Sequence, residues 1–327
     1  MATTNRKQPL PHSIRIIRLL LIFMLILWSF ILNESPAVNA EETGELQIAV
    51  VVSQNIRPYL EAVEGLNLTF SRNSEITVEV VNLWKIEDSE RKSLAADLLE
   101  RPFNAYLAVG PEALWFLSNY FDSKNALKLY AIVLNPQKIL DNANNLCGIS
   151  LNIPVQEQLR IIAAGIPMAK KIGLLYDPAY NESFLQKAQT FASTQGIKIL
   201  PLKVKNKKEI PSLLKNHLTN MDALWLIPDR TIISESIVRY VIKEAFLRKV
   251  PSIGYNRFFY ESGAFMAFIF DYKELGIQAA QQVLAAFSSQ NCSDPVPLFQ
   301  VWINKRVAEK LEGKAPETNF PPFIFGP

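Results

Sequence analysis

A doubled alternation of short β-branched runs and amphipathic stretches constrains this chain more than any other feature. Strands are predicted over 46–52, 76–81, 105–109, 127–134 and 147–151. Helices are predicted between them over 57–72, 88–99 (capped by Asp88 or Ser89) and 111–121. The series then starts again. Helices are expected at 154–166, 181–195, 207–218, 234–247 and 273–287, and strands at 171–176, 197–204, 223–227, 251–254 and 264–270. A strand over 298–303 and a helix over 305–312 close the pattern, and the Pro-rich tail 315–327 reads as irregular. Strands alternating with helices build parallel sheets covered by helices on both faces. The prediction is therefore an α/β chain of two successive doubly wound units, with a seam near Asn152. Two such units side by side leave a cleft, and ligands bind beyond the carboxyl ends of the strands.

The first forty residues stand apart from this pattern. Arg6, Lys7, Arg15 and Arg18 precede an apolar run from Leu19 to Leu32, and Pro36 precedes Val38-Asn39-Ala40. A basic region, an apolar run and small residues at a cut make the layout of a signal peptide. The run of about fourteen residues is short of the roughly twenty a spanning helix needs. Cleavage after Ala40 and a periplasmic location are expected, with an uncleaved N-terminal anchor as the alternative. No Cys lies near the cut to carry a lipid.

Cleavage changes the charge. The 34 Lys and Arg exceed the 31 Asp and Glu, but residues 1–40 hold four of the bases and one of the acids, leaving 30 of each. The apparent basicity belongs to the leader, and nothing in the balance points to nucleic acid. His217 is the only histidine beyond residue 40. That is poor material for a zinc site or a histidine-based triad. An exported chain can bridge Cys147 and Cys292, but the sequence does not show that they approach, and two buried thiols are the expectation.

Function should sit in the loops after the strands. Ser53-Gln54-Asn55 follows the first strand and Gly110-Pro111-Glu112 the third. Asp177-Pro178 through Asn181, and Pro228-Asp229-Arg230-Thr231, follow strands of the second unit. Each loop leads into a helix whose free N–H groups and dipole favour an anion, although each set also fits ordinary capping. Tyr59, Trp115, Tyr180, Tyr255, Phe258 and Phe259 lie on or just after these loops and could stack on a ligand. Trp115, beside Leu114 and Leu117, reads as core; the stretch Asn256-Arg257-Phe258-Phe259-Tyr260 reads as less core-like and open to ligand contact. Arg57 and Arg230 lie close enough to strand ends to pair with a carboxylate. No G-x-x-x-x-G-K-[ST], G-x-G-x-x-G, G-x-S-x-G, H-E-x-x-H or C-x-x-C is present. No cofactor, metal site or catalytic group is therefore expected. Glu112, Asp177, Asp229 and Glu261 supply carboxylates for a rival hydrolase reading, but no spacing singles out a pair.

Several stretches resemble one family in order and spacing. Asn145-Leu146-Cys147-Gly148-Ile149-Ser150, followed by the run Pro154 to Leu159, is similar to N-[VL]-T-G-[VI]-S and xxPxxxQL. Lys171-Ile172-Gly173-Leu174-Leu175-Tyr176-Asp177-Pro178 is similar to [KR]-I-G-V-[LI]-Y-N-P, and Asp222-Ala223-Leu224-Trp225-Leu226-Ile227-Pro228-Asp229 to D-A-[IL]-x-[VL]-x-x-D. Asp271-Tyr272-Lys273-Glu274-Leu275-Gly276-Ile277-Gln278-Ala279-Ala280 resembles D-Y-x-x-L-G-x-Q-A-A, and Ile303-Asn304 with Ala308 resembles I-N-x-x-x-A. The family is that of the substrate-binding proteins of ABC transporters, of the tryptophan/tyrosine type, and the resemblance spans roughly 46–311.

The resemblance implies a type I periplasmic binding fold, with two Rossmann-like lobes and a hinged cleft that shuts on a small molecule. It divides the chain into a signal peptide (1–40), a first lobe (46–150) with a return segment near 272–300, a second lobe (151–271) and a C-terminal segment and tail (301–327). It implies an amino acid or similar small polar or carboxylate ligand, an ABC permease or a membrane sensor as partner, and a monomer. Together with the loop reading above, it gives an expected site of Ser53, Gln54, Asn55, Gly110, Pro111, Glu112, Asn135, Asp177, Asn181, Asp229, Arg230 and Asn256. Pro111 and Glu112 replace hydroxyl residues of the family pattern, Leu134-Asn135-Pro136 stands for T-D-P, and Arg230 replaces an Asn. Fewer hydroxyls and an added cation point toward a more anionic ligand than an aromatic amino acid.

Overall fold

The runs read as strands assemble into two largely parallel sheets in the computed structural model, which describes residues 45–121, 126–140, 146–289, 292–311 and 323–325. The expected signal segment and the Asn145 that opens one family-like motif lie outside the described residues.

The first sheet is built from β1 (Leu46–Val52), α1 (Arg57–Phe70), β2 (Ile76–Asn82), α2 (Arg91–Glu100), β3 (Ala105–Val109), α3 (Pro111–Tyr120), β4 (Leu127–Val133) and β5 (Cys147–Ser150). Its order is β2-β1-β3-β4-β5, and every pairing is parallel. β3 is buried at all five positions, as a continuous apolar run demands when helices cover both faces. α2 starts later than expected, with Glu90 rather than Asp88 or Ser89 as its first cap.

The chain then builds α4 (Val155–Gly165), β6 (Lys171–Tyr176), α5 (Pro178–Thr194), β7 (Lys198–Lys203), α6 (Ile210–His217), β8 (Ala223–Leu226), α7 (Glu235–Leu247), β9 (Ser252–Gly254), α8 (Arg257–Glu261) and β10 (Met266–Ile269). Their strands run β7-β6-β8-β9-β10, the order of the first sheet. Next comes α9 (Tyr272–Ser289), then β11 (Gln300–Ile303), α10 (Lys305–Lys310) and β12 (Phe323–Phe325). β11 joins β10 antiparallel, and β12 extends the sheet parallel to β11. The tail expected to be irregular thus contributes an edge strand where its apolar run meets the open side of β11.

α9 leaves the second sheet and packs on the first. Leu275, Ala279, Ala280 and Val283 join a core with Ile48, Val50, Ala62 and Leu66. Glycines make the approach close: a Cβ on Gly276 would stand 2.0 Å from the Ala62 carbonyl oxygen, and one on Gly65 2.0 Å from that of Lys273. After α9 the chain is fastened to the first sheet. Asp294 Oδ1 accepts from the Tyr130 hydroxyl and from the Gly148 backbone N–H, each at 2.8 Å.

Cys147 and Cys292 are joined in a disulfide, with Cα atoms 5.8 Å apart. This corrects the expectation of two separate thiols. Cys147 lies on the edge strand β5, and the course of α9 carries Cys292 back past that edge, inside the distance window of a bridge. Among the described residues no helix is long and apolar enough to cross a membrane.

Candidate functional site

The three connections between the sheets leave a cleft floored by the segment after β5. A cavity of about 500 Å³ lies there, lined from the first sheet's side by Leu134, Asn135 and Lys138 and from the second's by Tyr180, Asn181 and Phe184. A smaller cavity of about 120 Å³ adjoins it and shares Leu134, Leu151, Ile153, Gln158 and Pro228; Tyr255, Asn256 and Tyr272 line its far side. Of the twelve residues the sequence outlines, Asn135, Asn181 and Asn256 line these two spaces.

Asn135 is shaped for its place. It follows β4 in the left-handed region (φ 52°), where a short polar side chain is tolerated. Its N–H donates to Asn152 Oδ1 at 3.0 Å, and its own Oδ1 accepts from Asn152 Nδ2 at 3.1 Å. The loop after β4 is thereby tied to the crossing segment. Lys138, one turn further on, donates to the Tyr180 carbonyl at 3.4 Å and so touches the opposite side.

Asp177, Asn181, Asp229 and Arg230 come together at the ends of β6 and β8. Asp229 is 4% exposed, and its oxygens are fully engaged. Oδ2 accepts from the Asp177 N–H (2.7 Å) and Asn181 Nδ2 (2.8 Å); Oδ1 accepts from the Thr231 N–H (2.9 Å) and hydroxyl (2.6 Å). Asp229 therefore clamps two loops whose contacts span some fifty positions of sequence. The clamp explains the break in α5, whose Asn181 departs from helical geometry (φ −126°) while its amide reaches Asp229 and the Pro228 carbonyl. Asp177 caps α5 through the Ala179 N–H and receives Arg230 Nε at 3.1 Å. Arg230 also donates to the Tyr180 hydroxyl and stacks 4.1 Å from the centre of that ring. Both aspartates are thus committed inside the protein rather than presented as free carboxylates.

The first-sheet loops form a separate cluster that does not line the two cavities. Ser53 is buried, and its Oγ accepts from the Ala113 N–H at 2.8 Å, so it caps α3. Gln54 Nε2 donates to Glu112 Oε1 at 2.7 Å, while Glu112 Oε2 is shielded and has no partner among the described residues. Asn55 is exposed, and Pro111 opens α3. Gly110 takes φ 93°, and a Cβ there would stand 2.6 Å from Ser53 Oγ and 2.7 Å from the Tyr59 ring. Only glycine fits on both counts. Burial, and secondly the charge of Glu112, push the Tyr59 hydroxyl up to about 12. The Tyr255 hydroxyl is likewise pushed up to about 12, by burial first and then by Asp229.

Tyr180 and Tyr255 line the cavities, but two other aromatic expectations need correction. Trp115 is 42% exposed: α3 buries Ala113, Leu114, Phe116 and Leu117, which turns Trp115 to the opposite side. The stretch after Asn256 folds into α8 and buries Phe259 and Tyr260, while Asn256 caps it by accepting from the Phe259 N–H at 3.2 Å. Residues not among the sequence candidates are Lys138, Asn152, Gln158 and Lys187. Gln158 had a signal, the Gln of the run from Pro154 to Leu159, and it donates to the Ile153 carbonyl at 2.8 Å. Lys138 and Lys187 had none, because a lysine on a helix is ordinarily a solvated one. Among the described residues no three His, Cys, Asp or Glu side chains group to hold a metal.

Known proteins share this architecture. A family model described as ABC transporter substrate binding protein matches residues 136–318. A tyrosine-binding protein of Clostridioides difficile (strain R20291) is 23% identical over 174 residues, 51% of this chain and 50% of that protein. The chain thus spans about half the length of the curated relative it matches. Among solved structures, the ligand-free, open form of a substrate binding protein with adhesive properties from Clostridium difficile superposes with a TM-score of 0.70 at 18% identity, over 85% of this chain and 99% of that one. An ABC domain in complex with L-Trp from Streptococcus pneumonia gives 0.55 at 18% identity, over 82% and 95%. These likenesses establish the fold as α/β, two-lobed and of the periplasmic binding type.

Proposed function

Because the chain belongs to the ABC transporter substrate-binding protein family, we propose that it is an exported solute-binding protein that captures a small molecule between its lobes and delivers it to an ABC permease. The observation that carries this reading is the cleft of about 500 Å³ lined from both sheets. Binding by closure needs no catalytic group, only loops from two bodies that meet on the ligand. Asn135, Asn181 and Asn256 form the floor and walls, with Arg230 at the rim. The cluster of Ser53, Gln54, Asn55, Gly110, Pro111 and Glu112 is the face that swings in, and Asp177 and Asp229 hold the opposite loops rigid. The ligand is an amino acid or a similar small carboxylate, as the names of the relatives above suggest. A periplasmic location is supported by the leader-like residues 1–40 and by the disulfide, which an oxidising compartment sustains. The protein works as a monomer.

Thermal-shift screening of the purified protein against amino acids and small carboxylates tests this, with small-angle scattering on every hit. A ligand at a hundred times its Kd stabilises by about 2.7 kcal/mol and should shrink the radius of gyration. If nothing stabilises the protein and nothing contracts it, the reading is wrong.

A further inference from the structure

Among the described residues, those lining the two cavities include Lys138 and Lys187 and not one Asp or Glu. We infer that the cleft selects small apolar carboxylates that carry no ammonium group, an inference that rests on the binding reading above. A free amino acid brings one charge of each sign, and its ammonium must find acceptors when it leaves water. Here the carboxylates nearest the cleft already hold other donors. Asp229 receives four donors, and Asp177 receives the Ala179 N–H and Arg230. Glu182, beside the cleft on α5, receives the Tyr176 hydroxyl at 3.2 Å. Glu112 lies in the separate first-sheet cluster, with Oε1 on Gln54 and Oε2 buried away from the cavities. The amide oxygens of Asn135 and Asn152 accept from one another's residues.

Cationic donors, by contrast, are in surplus. Lys138 and Lys187 form no ion pair among the described residues, and Lys138 makes only a long bond to the Tyr180 carbonyl. Lys138 lies 5.7 Å from the Tyr180 ring centre and Arg230 4.1 Å, so two cations flank one ring at the rim. The wall beyond is apolar, from Leu134, Phe184, Phe191 and Ile227. A carboxylate held by the lysines, with an apolar body against the phenylalanines, matches this division. An amine on the same body would face these cations with no carboxylate among the described lining residues to receive it.

Three probes that differ only in charged groups decide the matter: 3-phenylpropanoate, L-phenylalanine and phenethylamine, titrated into the purified protein by calorimetry. We expect 3-phenylpropanoate to bind at least tenfold tighter than L-phenylalanine, and phenethylamine not to bind. Lys138→Met with Lys187→Met should weaken 3-phenylpropanoate about tenfold and flatten its salt dependence. Both lysines are exposed, so the urea midpoint of that variant should match the parent and exclude misfolding. L-phenylalanine binding as tightly as the acid, phenethylamine binding at all, or a double variant of unchanged affinity overturns the inference. So does a failure of 3-phenylpropanoate to bind. In that case, contraction in scattering with another solute leaves the binding reading intact, and contraction with none removes both.

Discussion

Breaking the bond between Cys147 and Cys292 should cost stability without changing the native architecture. The bond closes a loop with a sequence separation of 145. In the chain-entropy view, a loop of that length removes about 5 kcal/mol of freedom from the unfolded state, and measured losses for native bridges run from roughly 2 to 5 kcal/mol. A body the size of Glu45–Pro327 unfolds with an entropy of about 0.6 kcal/mol/K. The melting temperature should therefore drop by roughly 3–8 °C. The native state should persist because the same segment is held by the two hydrogen bonds of Asp294 and by the docking of α9. The assay is scanning calorimetry of the parent with and without a phosphine reductant, beside Cys147→Ala with Cys292→Ala. Reduction and substitution should give the same drop, and far-ultraviolet circular dichroism at 20 °C should not change. Two free thiols titrated in the unfolded, unreduced protein would refute the bridge. A drop below about 1 °C would refute the loop-closure reasoning.

Asp229→Ala should destabilise by about 3 kcal/mol in urea unfolding, since four donors lose a charged acceptor at a buried site; Asp229→Asn should lose less, because it keeps an acceptor oxygen. Gly276→Val should force α9 off α1 and cost about 1–3 kcal/mol or more, read as faster amide exchange confined to those two helices and the strands beneath them. The hydroxyls of Tyr59, Tyr176 and Tyr255 are each pushed up to about 12 by burial first. An acid whose folded pKa lies above its unfolded value binds its proton more tightly when folded, so stability should be level below pH 10 and fall between pH 10 and 12. Absorbance at 295 nm should show these tyrosines un-ionised at pH 11 in the folded protein. Full ionisation there, with structure intact, would contradict the burial.

The parallel α/β order was legible because its signals are local. A run such as Ala49-Val50-Val51-Val52 can be satisfied only in a buried strand, and the spacing of helices between such runs dictates parallel connections. Gly110 was legible as well, since a tight turn after a strand calls for glycine. The short helix α8 was not, because five residues carry no period, and its burial of Phe259 and Tyr260 comes from the neighbouring sheet.

The site was legible only as a set of loops. Sequence alone put Asp229 and Asp177 at strand ends, where either could be ligand or cap. Tertiary structure made them a clamp, because the donors that engage Asp229 come from a loop about fifty residues away as well as from its own. It also drew Asn135, Asn181 and Asn256 onto adjoining cavities, left Ser53 and Glu112 in a cluster of their own, and brought Cys292 to Cys147. Local order along a chain follows from propensity and period, which each segment carries within itself. Which side chains meet across a cleft depends on how the connecting segments after β5, β10 and α9 bring distant loops together, and no single segment encodes that.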